Sequence, residues 1–348
     1  MSTAPAVPDL RRPKKAGITG KVWWPWLKRV ATLVFFALVA WLLVEQGRAI
    51  DWQEVFAALR AYPPALLLGA VALAALSLGL YSCFDLLGRH YTGHKLRAPT
   101  VMLVTFISYV FNLNLGSLVG GVAFRYRLYS RLKLDTGTIT RILSLSMLTN
   151  WTGYLFLGGL IFAFATPALP PGWKMGSGGL QILGCVLLAT AVAYLLLCVL
   201  SRQRSVTLRG HRLELPSGGM ALLQVAMGAT NWLIMSSLMF LLLQQKIAFP
   251  AVAGVLLVAA VAGVIAHVPA GLGVLEAVFV ALLSHAMPTH QLLAALVAYR
   301  VIYYLVPLAL ATVVYLVMEV RAKKLAPKTP PAKPSPAEAS SQETVNGV

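Results

Sequence analysis

Residues 249–317 form an apolar run that is broken near its centre by His267-Val268-Pro269-Ala270-Gly271-Leu272-Gly273. A bilayer core about 30 Å thick needs roughly 20 consecutive apolar residues per helical span. The pieces 248–266 and 274–286 lie on either side of one Pro and two Gly, a combination that a continuous helix does not favour. The run therefore predicts two helical pieces meeting at an irregular turn inside the membrane. Backbone polar groups at that depth cannot face lipid, so such a turn persists only where protein packs around it or where it lines a wet cavity. That makes the turn the first candidate for a site. Glu276 stands in the first turn of the second piece, and Arg300 lies deep in the final apolar span.

Composition supports the membrane reading: 58% of residues are hydrophobic, only 11% are charged, and several uncharged runs reach span length. The net charge of +18 does not indicate nucleic acid, because the basic residues lie between apolar spans and no nucleic-acid-reading motif accompanies them. Cys83, Cys185 and Cys198 sit in apolar segments without metal-ligand spacing, as buried thiols do.

In chain order, residues 1–22 have the Pro, Ala and basic content of a disordered cytoplasmic arm. Trp23, Trp24 and Trp26 mark an interface belt, and 30–44 is read as a retained first span with no clear small-residue cleavage site after it. A second span covers 64–84 and ends at Asp85 and a polar loop. Residues 99–133 form a second interrupted element, in which Asn112, Asn114, Gly116, Gly120 and Gly121 lead into a basic stretch. Spans follow at 139–165, 180–200 and 219–243, with loops at 166–179 and 202–212 between them, and then comes the opening stretch. The expected fold is an all-α integral membrane protein with six full spans and two broken or re-entrant helical hairpins, or eight helical segments if the hairpins count as spans. The order repeats as 23–165 with hairpin 99–133 and 180–318 with hairpin 249–286, and 319–348 forms a disordered cytoplasmic tail. Three crossings per half would make this an inverted repeat with broken helices near the midplane, which is a transporter design.

On this scheme the cytoplasmic segments hold 24 of the 29 Lys and Arg residues, so both termini are expected in the cytoplasm. The first hairpin would then enter from the cytoplasm and the second from the periplasm.

Three stretches, GSLVGGVAFRYRLY at 116–129, HVPAGLGVLEAVFVALL at 267–283 and AYRVIYYLVP at 298–307, resemble in order and spacing the lysylphosphatidylglycerol synthase/flippase transmembrane family. The resemblance covers roughly 30–318 and is similar to the flippase-like members of the bacterial inner membrane. It implies handling of phospholipids or other lipid-linked anions. Residues 319–348 leave no room for the soluble aminoacyl-transferring domain of the bifunctional members, so its chemistry is not expected.

A helix starting near Gly273 aims free N–H groups and partial positive charge at the turn that Pro269 opens, which suits a phosphate, and Gly271 and Gly273 permit close approach. The same residues also suit a tight hairpin with no ligand. Carboxylates inside membrane segments are rare and usually paired, and Arg300 is the natural partner of Glu276. Such a pair is either purely structural or a working one in which Arg300 takes a lipid phosphate. In the first hairpin, Gly120 and Gly121 precede Arg125, Arg127 and Arg131 as a candidate headgroup port, with Asn112 and Asn114 as neutral donors. Basic residues at a cytoplasmic interface also serve topology and bind anionic lipid nonspecifically.

His90 and His94 are spaced i, i+4, but Gly93 and the polar loop argue against a metal site, and no cofactor is expected. No catalytic or ATP-binding motif occurs in a fitting context, so the chain is not expected to be an enzyme, and any coupling would use a gradient or a partner. The leading expectation is a flippase-like translocator or binder of an anionic phospholipid or lipid-linked headgroup in the inner membrane. The alternative is a noncatalytic subunit presenting lipid to an envelope enzyme or complex.

Overall fold

A computed structural model describes residues 52–165, 177–201, 205–208, 211–266 and 268–325. The expected first span at 30–44, the Trp belt, the basic arm and most of the tail lie outside the described residues. The chain divides into two compact units, Met1–Ala57 and Ala58–Val348. Of the first, only the start of helix α1 (Trp52–Arg60) is described.

Among the described residues, the second unit is helical apart from one small β-hairpin. Its elements are α2 (Pro64–Ser82), α3 (Phe84–Thr92), α4 (Ala98–Leu115), α5 (Phe124–Arg131), α6 (Thr136–Phe164), α7 (Ser177–Leu200), β1 (Ser205–Leu208) and β2 (His211–Glu214). These are followed by α8 (Gly218–Leu242), α9 (Phe249–Ala266), α10 (Val274–Leu283), α11 (Thr289–Arg300) and α12 (Val306–Leu325). Among the described residues, seven helices or joined helices are long and apolar enough to cross a membrane. Five coincide with expected spans, and the other two, α4 and α9, are the long first limbs of the expected hairpins. The protein is an α-helical membrane protein.

Helix starts follow local chemistry. Pro64 and Pro99 sit in first turns, where a missing N–H costs nothing. Asp135 caps α6 by accepting from the Thr138 N–H and hydroxyl, and these bonds hold its carboxyl below the usual carboxylate range. Ser217 caps α8 through the N–H of Met220.

Two expectations change. The second span does not end at Asp85: helix resumes at Phe84 and runs to Thr92, because the Asp85 charge is neutralised inside the protein. The loop expected at 202–212 overlaps the antiparallel pair β1–β2, which spans 205–214 in register Ser205↔Glu214 and Leu208↔His211. Val206 and Thr207, with β-branched side chains, suit an extended strand, but four-residue strands are too short to stand out in a sequence.

Both hairpins fold back on themselves. At the end of α4, Gly116 takes φ 84°, and Ser117–Ala123 winds as a wide π turn against α4 before α5 returns. A Cβ on Gly120 would lie 2.1 Å from the carbonyl oxygen of Phe111, so this fold-back requires glycine there. In the second hairpin, α10 packs back along α9. Its ten residues reach about 15 Å, half of a roughly 30 Å core, whereas the eighteen of α9 reach about 27 Å.

The bundle centres on α6, which crosses α7 and α8 at close range. A Cβ on Gly153 would come within 2.1 Å of Gly228 main chain, and one on Gly228 within 2.2 Å of the Thr149 carbonyl oxygen. Small residues at such crossings let membrane helices pack backbone to backbone. We expect Gly228→Val to cost at least the upper end of the roughly 1–3 kcal/mol typical of overpacking. Gly79→Ala, where a Cβ meets nothing within 4 Å, should leave stability unchanged or slightly raised. Thermal unfolding of both variants in detergent checks the contrast.

Candidate functional site: a stapled helix break

The second break is built from residues in left-handed conformation: Ala270 at φ 57°, Gly271 at 55° and Gly273 at 75°. After the Val268 carbonyl accepts from the Gly271 N–H, the Ala270 and Gly271 carbonyls have left the helical ladder, and a buried carbonyl without a donor is costly. Arg300 supplies the donors: its Nη1 reaches Ala270 O at 3.1 Å and its Nη2 reaches Gly271 O at 3.0 Å. The same guanidinium makes a two-pronged pair with Glu276, Nε to Oε1 at 2.5 Å and Nη2 to Oε2 at 2.9 Å. One cation thus holds both the turn and the first turn of α10. The pair remains partly accessible, with 14% of the Arg300 side chain and 21% of the Glu276 side chain exposed. Pro269 lies in the same turn.

Arg300 ends α11, and Val301–Leu305 then forms a π turn leading into α12. Single π turns inserted in α-helices often sit at functional positions. This one sends Tyr304 beneath Arg300, its ring centre 5.5 Å from the guanidinium carbon. It sends Tyr303 into the bundle, where its hydroxyl meets Ser77 Oγ at 2.8 Å and Tyr109 Oη at 3.1 Å. Ser77 in turn donates to Asn231 Oδ1 at 2.8 Å. Neutral hydroxyls within apolar spans leave no pattern in the sequence, and this four-helix network was not anticipated.

The first hairpin reaches the same place. Helix α4 packs against Pro269–Gly271, and Asn114 donates to Val110 O at 2.9 Å and to Tyr304 O at 3.4 Å. Asn112 faces Gly121, where a Cβ would lie 2.9 Å from its Oδ1. The end of α4 and the second break therefore meet around Tyr304.

The three arginines of the expected port separate. Arg125 is buried, with 3% of its side chain exposed against a fully buried Asp85. Its Nε donates to Asp85 Oδ2 at 3.0 Å, and its Nη2 donates to Oδ1 at 3.2 Å and to Ser146 Oγ at 3.1 Å. The Tyr129 hydroxyl adds a third bond to the carboxylate at 2.9 Å. This cluster ties α3, α5 and α6 together, and no free guanidinium faces a headgroup there. Arg127 and Arg131 are exposed instead. Arg131 pairs with Glu319 of α12, while Arg127 lies 3.7 Å from Glu319 and over the Tyr315 ring.

Together, the fold and the break define a multi-pass helical membrane protein with a charged, irregular turn stapled inside its second half. The model of the lysylphosphatidylglycerol synthase transmembrane region matches residues 29–311, and the chain belongs to that family. It is 48% identical over 306 residues to the inner membrane protein YbhN of Escherichia coli, covering 88% of this chain and 96% of that one. It is 32% identical over 264 residues to the uncharacterised protein slr0712 of Synechocystis, covering 75% and 82%. A third relative is the phosphatidylglycerol lysyltransferase of Staphylococcus haemolyticus, at 24% identity over 293 residues, covering 81% of this chain but 33% of that enzyme. The protein is thus a multi-pass protein of the inner-membrane kind.

Proposed function

We propose that the protein translocates, or binds for translocation, an anionic phospholipid or lipid-linked headgroup across the inner membrane. In this reading it catalyses no covalent chemistry and keeps both termini in the cytoplasm. The observation that carries the reading is the Arg300 guanidinium, held at a helix break within the bundle yet still partly accessible. Intramembrane cations of this kind mark substrate paths, and the adjoining N-terminus of α10 adds N–H donors of the same sign. Family membership and the lysyltransferase relative, whose name refers to phosphatidylglycerol, support the choice of an anionic lipid.

The test is purified protein in liposomes containing fluorescent phosphatidylglycerol, with outer-leaflet label destroyed by dithionite. Loss of inner-leaflet protection is expected. Protection equal to that of protein-free liposomes, together with a stably copurifying partner, would point instead to a subunit that presents lipid to another protein. Orientation is checked separately by single-cysteine labelling of spheroplasts: sites in 116–133 should react only from the cytoplasm, and sites in 285–291 only from the periplasm. Labelling of both regions from one side would contradict the opposed-hairpin arrangement.

A further inference from the structure

The ionic balance at the break constrains how it can open. Glu276 and Arg300 cancel each other, so an anionic headgroup that takes the guanidinium strands a carboxylate next to α9, which carries no ionisable side chain. An unpaired carboxylate in that surrounding is far costlier than a neutral one. Glu276 keeps 21% of its side chain exposed, so the protein itself does not enclose the carboxylate completely.

Building on the proposed lipid-translocating role, we infer that the site carries its anionic lipid together with one proton bound on Glu276. The proton attaches to a Glu276 carboxylate oxygen, and the Nε and Nη2 hydrogen bonds of Arg300 pass from that carboxylate to two phosphate oxygens. On release the proton leaves Glu276 and the pair re-forms; no bond to carbon or phosphorus changes. Arg300 keeps its place throughout, because its bonds to Ala270 and Gly271 do not involve the carboxylate. The loaded and empty sites carry the same net charge, so the lipid moves without net charge.

Arg300, at the end of α11, pairs with Glu276, and Tyr299 of α11 and Tyr304 of the π turn flank that guanidinium; the single ionisable side chain of α4 is Tyr109, held by Tyr303. His267 opens the break in the sequence and lies outside the described residues, so His267→Gln tests whether the proton sits there instead; loss of the pH response in that variant would overturn the assignment to Glu276.

The experiment uses proteoliposomes of the full chain with fluorescent phosphatidylglycerol, under either a pH gradient or a valinomycin-set potassium potential. With one proton per lipid, a gradient of one pH unit should enrich the label about tenfold in the alkaline leaflet. The potential alone should leave its distribution unchanged. His267→Gln should behave as wild type, and Glu276→Gln should move lipid that follows the potential and ignores the pH gradient. The wild-type measurement decides even if a variant fails to fold. Wild-type distribution that follows the potential and not the pH gradient overturns the inference while leaving translocation standing. Zwitterionic phosphatidylethanolamine moving as fast as phosphatidylglycerol, indifferent to both gradients, also overturns it, since a zwitterion could exchange with the ion pair charge for charge. No movement of phosphatidylglycerol under any gradient overturns the inference and the translocating role together.

Discussion

Asp85→Asn and Arg125→Gln should each destabilise the protein by about 3–5 kcal/mol, whereas Asp85→Leu combined with Arg125→Met should cost less than either single, with the stranded Tyr129 and Ser146 hydroxyls as its remaining cost. The asymmetry follows from burial. Asp85 accepts three hydrogen bonds at full burial, and Arg125 donates three with 3% of its side chain exposed. Losing one partner leaves the other charged, desolvated and unpaired, and the bonds from Tyr129 and Ser146 do not replace an ion pair. Losing both removes the desolvation cost along with the attraction. Tyr129→Phe should cost only the roughly 0.5–3 kcal/mol of a single hydrogen bond to a charged group. Thermal unfolding in detergent, read for the two singles, the apolar double and Tyr129→Phe, checks this order. Because the cluster joins the return limb of the first hairpin to α3 and α6, the singles should also expose α5 to proteolysis before the rest of the bundle.

Of the two ion pairs held inside the described bundle, Glu276–Arg300 is legible in the sequence and Asp85–Arg125 is not, for a physical reason. Glu276 and Arg300 are isolated charges within apolar spans, where an unpaired charge is costly, so each implies a partner, and Pro269 with Gly271 and Gly273 marks where the backbone must break. Asp85 stands beside a polar loop, where a charge ordinarily ends a span, and its partner lies forty residues away on the return limb of the first hairpin. Arg125 differs in no local feature from Arg127 and Arg131; only folding places one inside and two at the surface. The π turns at Ser117–Ala123 and Val301–Leu305 were equally silent, since adding one residue to a helical turn leaves hydropathy unchanged. Gly116, Gly120 and Gly121 gave the first of them a partial signal, and the second had none.

At the second break, the two single substitutions should differ. Glu276→Gln leaves Arg300 bonded to Ala270 and Gly271, so a loss of about 1–3 kcal/mol is expected. Arg300→Gln strands a carboxylate and two turned-out carbonyls at once, and its cost should approach 3–5 kcal/mol, lowered somewhat by the partial exposure of the pair. Arg300→Gln/Glu276→Gln removes both charges and should recover much of that loss. Charge-swapped Arg300→Glu/Glu276→Arg keeps a pair but sets a cation at the positive N-terminus of α10 and removes the donors to the turn, so it should neither stabilise the break nor move lipid.

Whether the Arg300 guanidinium takes the lipid phosphate is tested most directly by the initial rate of phosphatidylglycerol translocation in proteoliposomes of the folded double variant Arg300→Gln/Glu276→Gln. A rate no faster than that of protein-free liposomes, from protein whose melting shows it is intact, is the predicted result. A rate equal to wild type would contradict the role of Arg300.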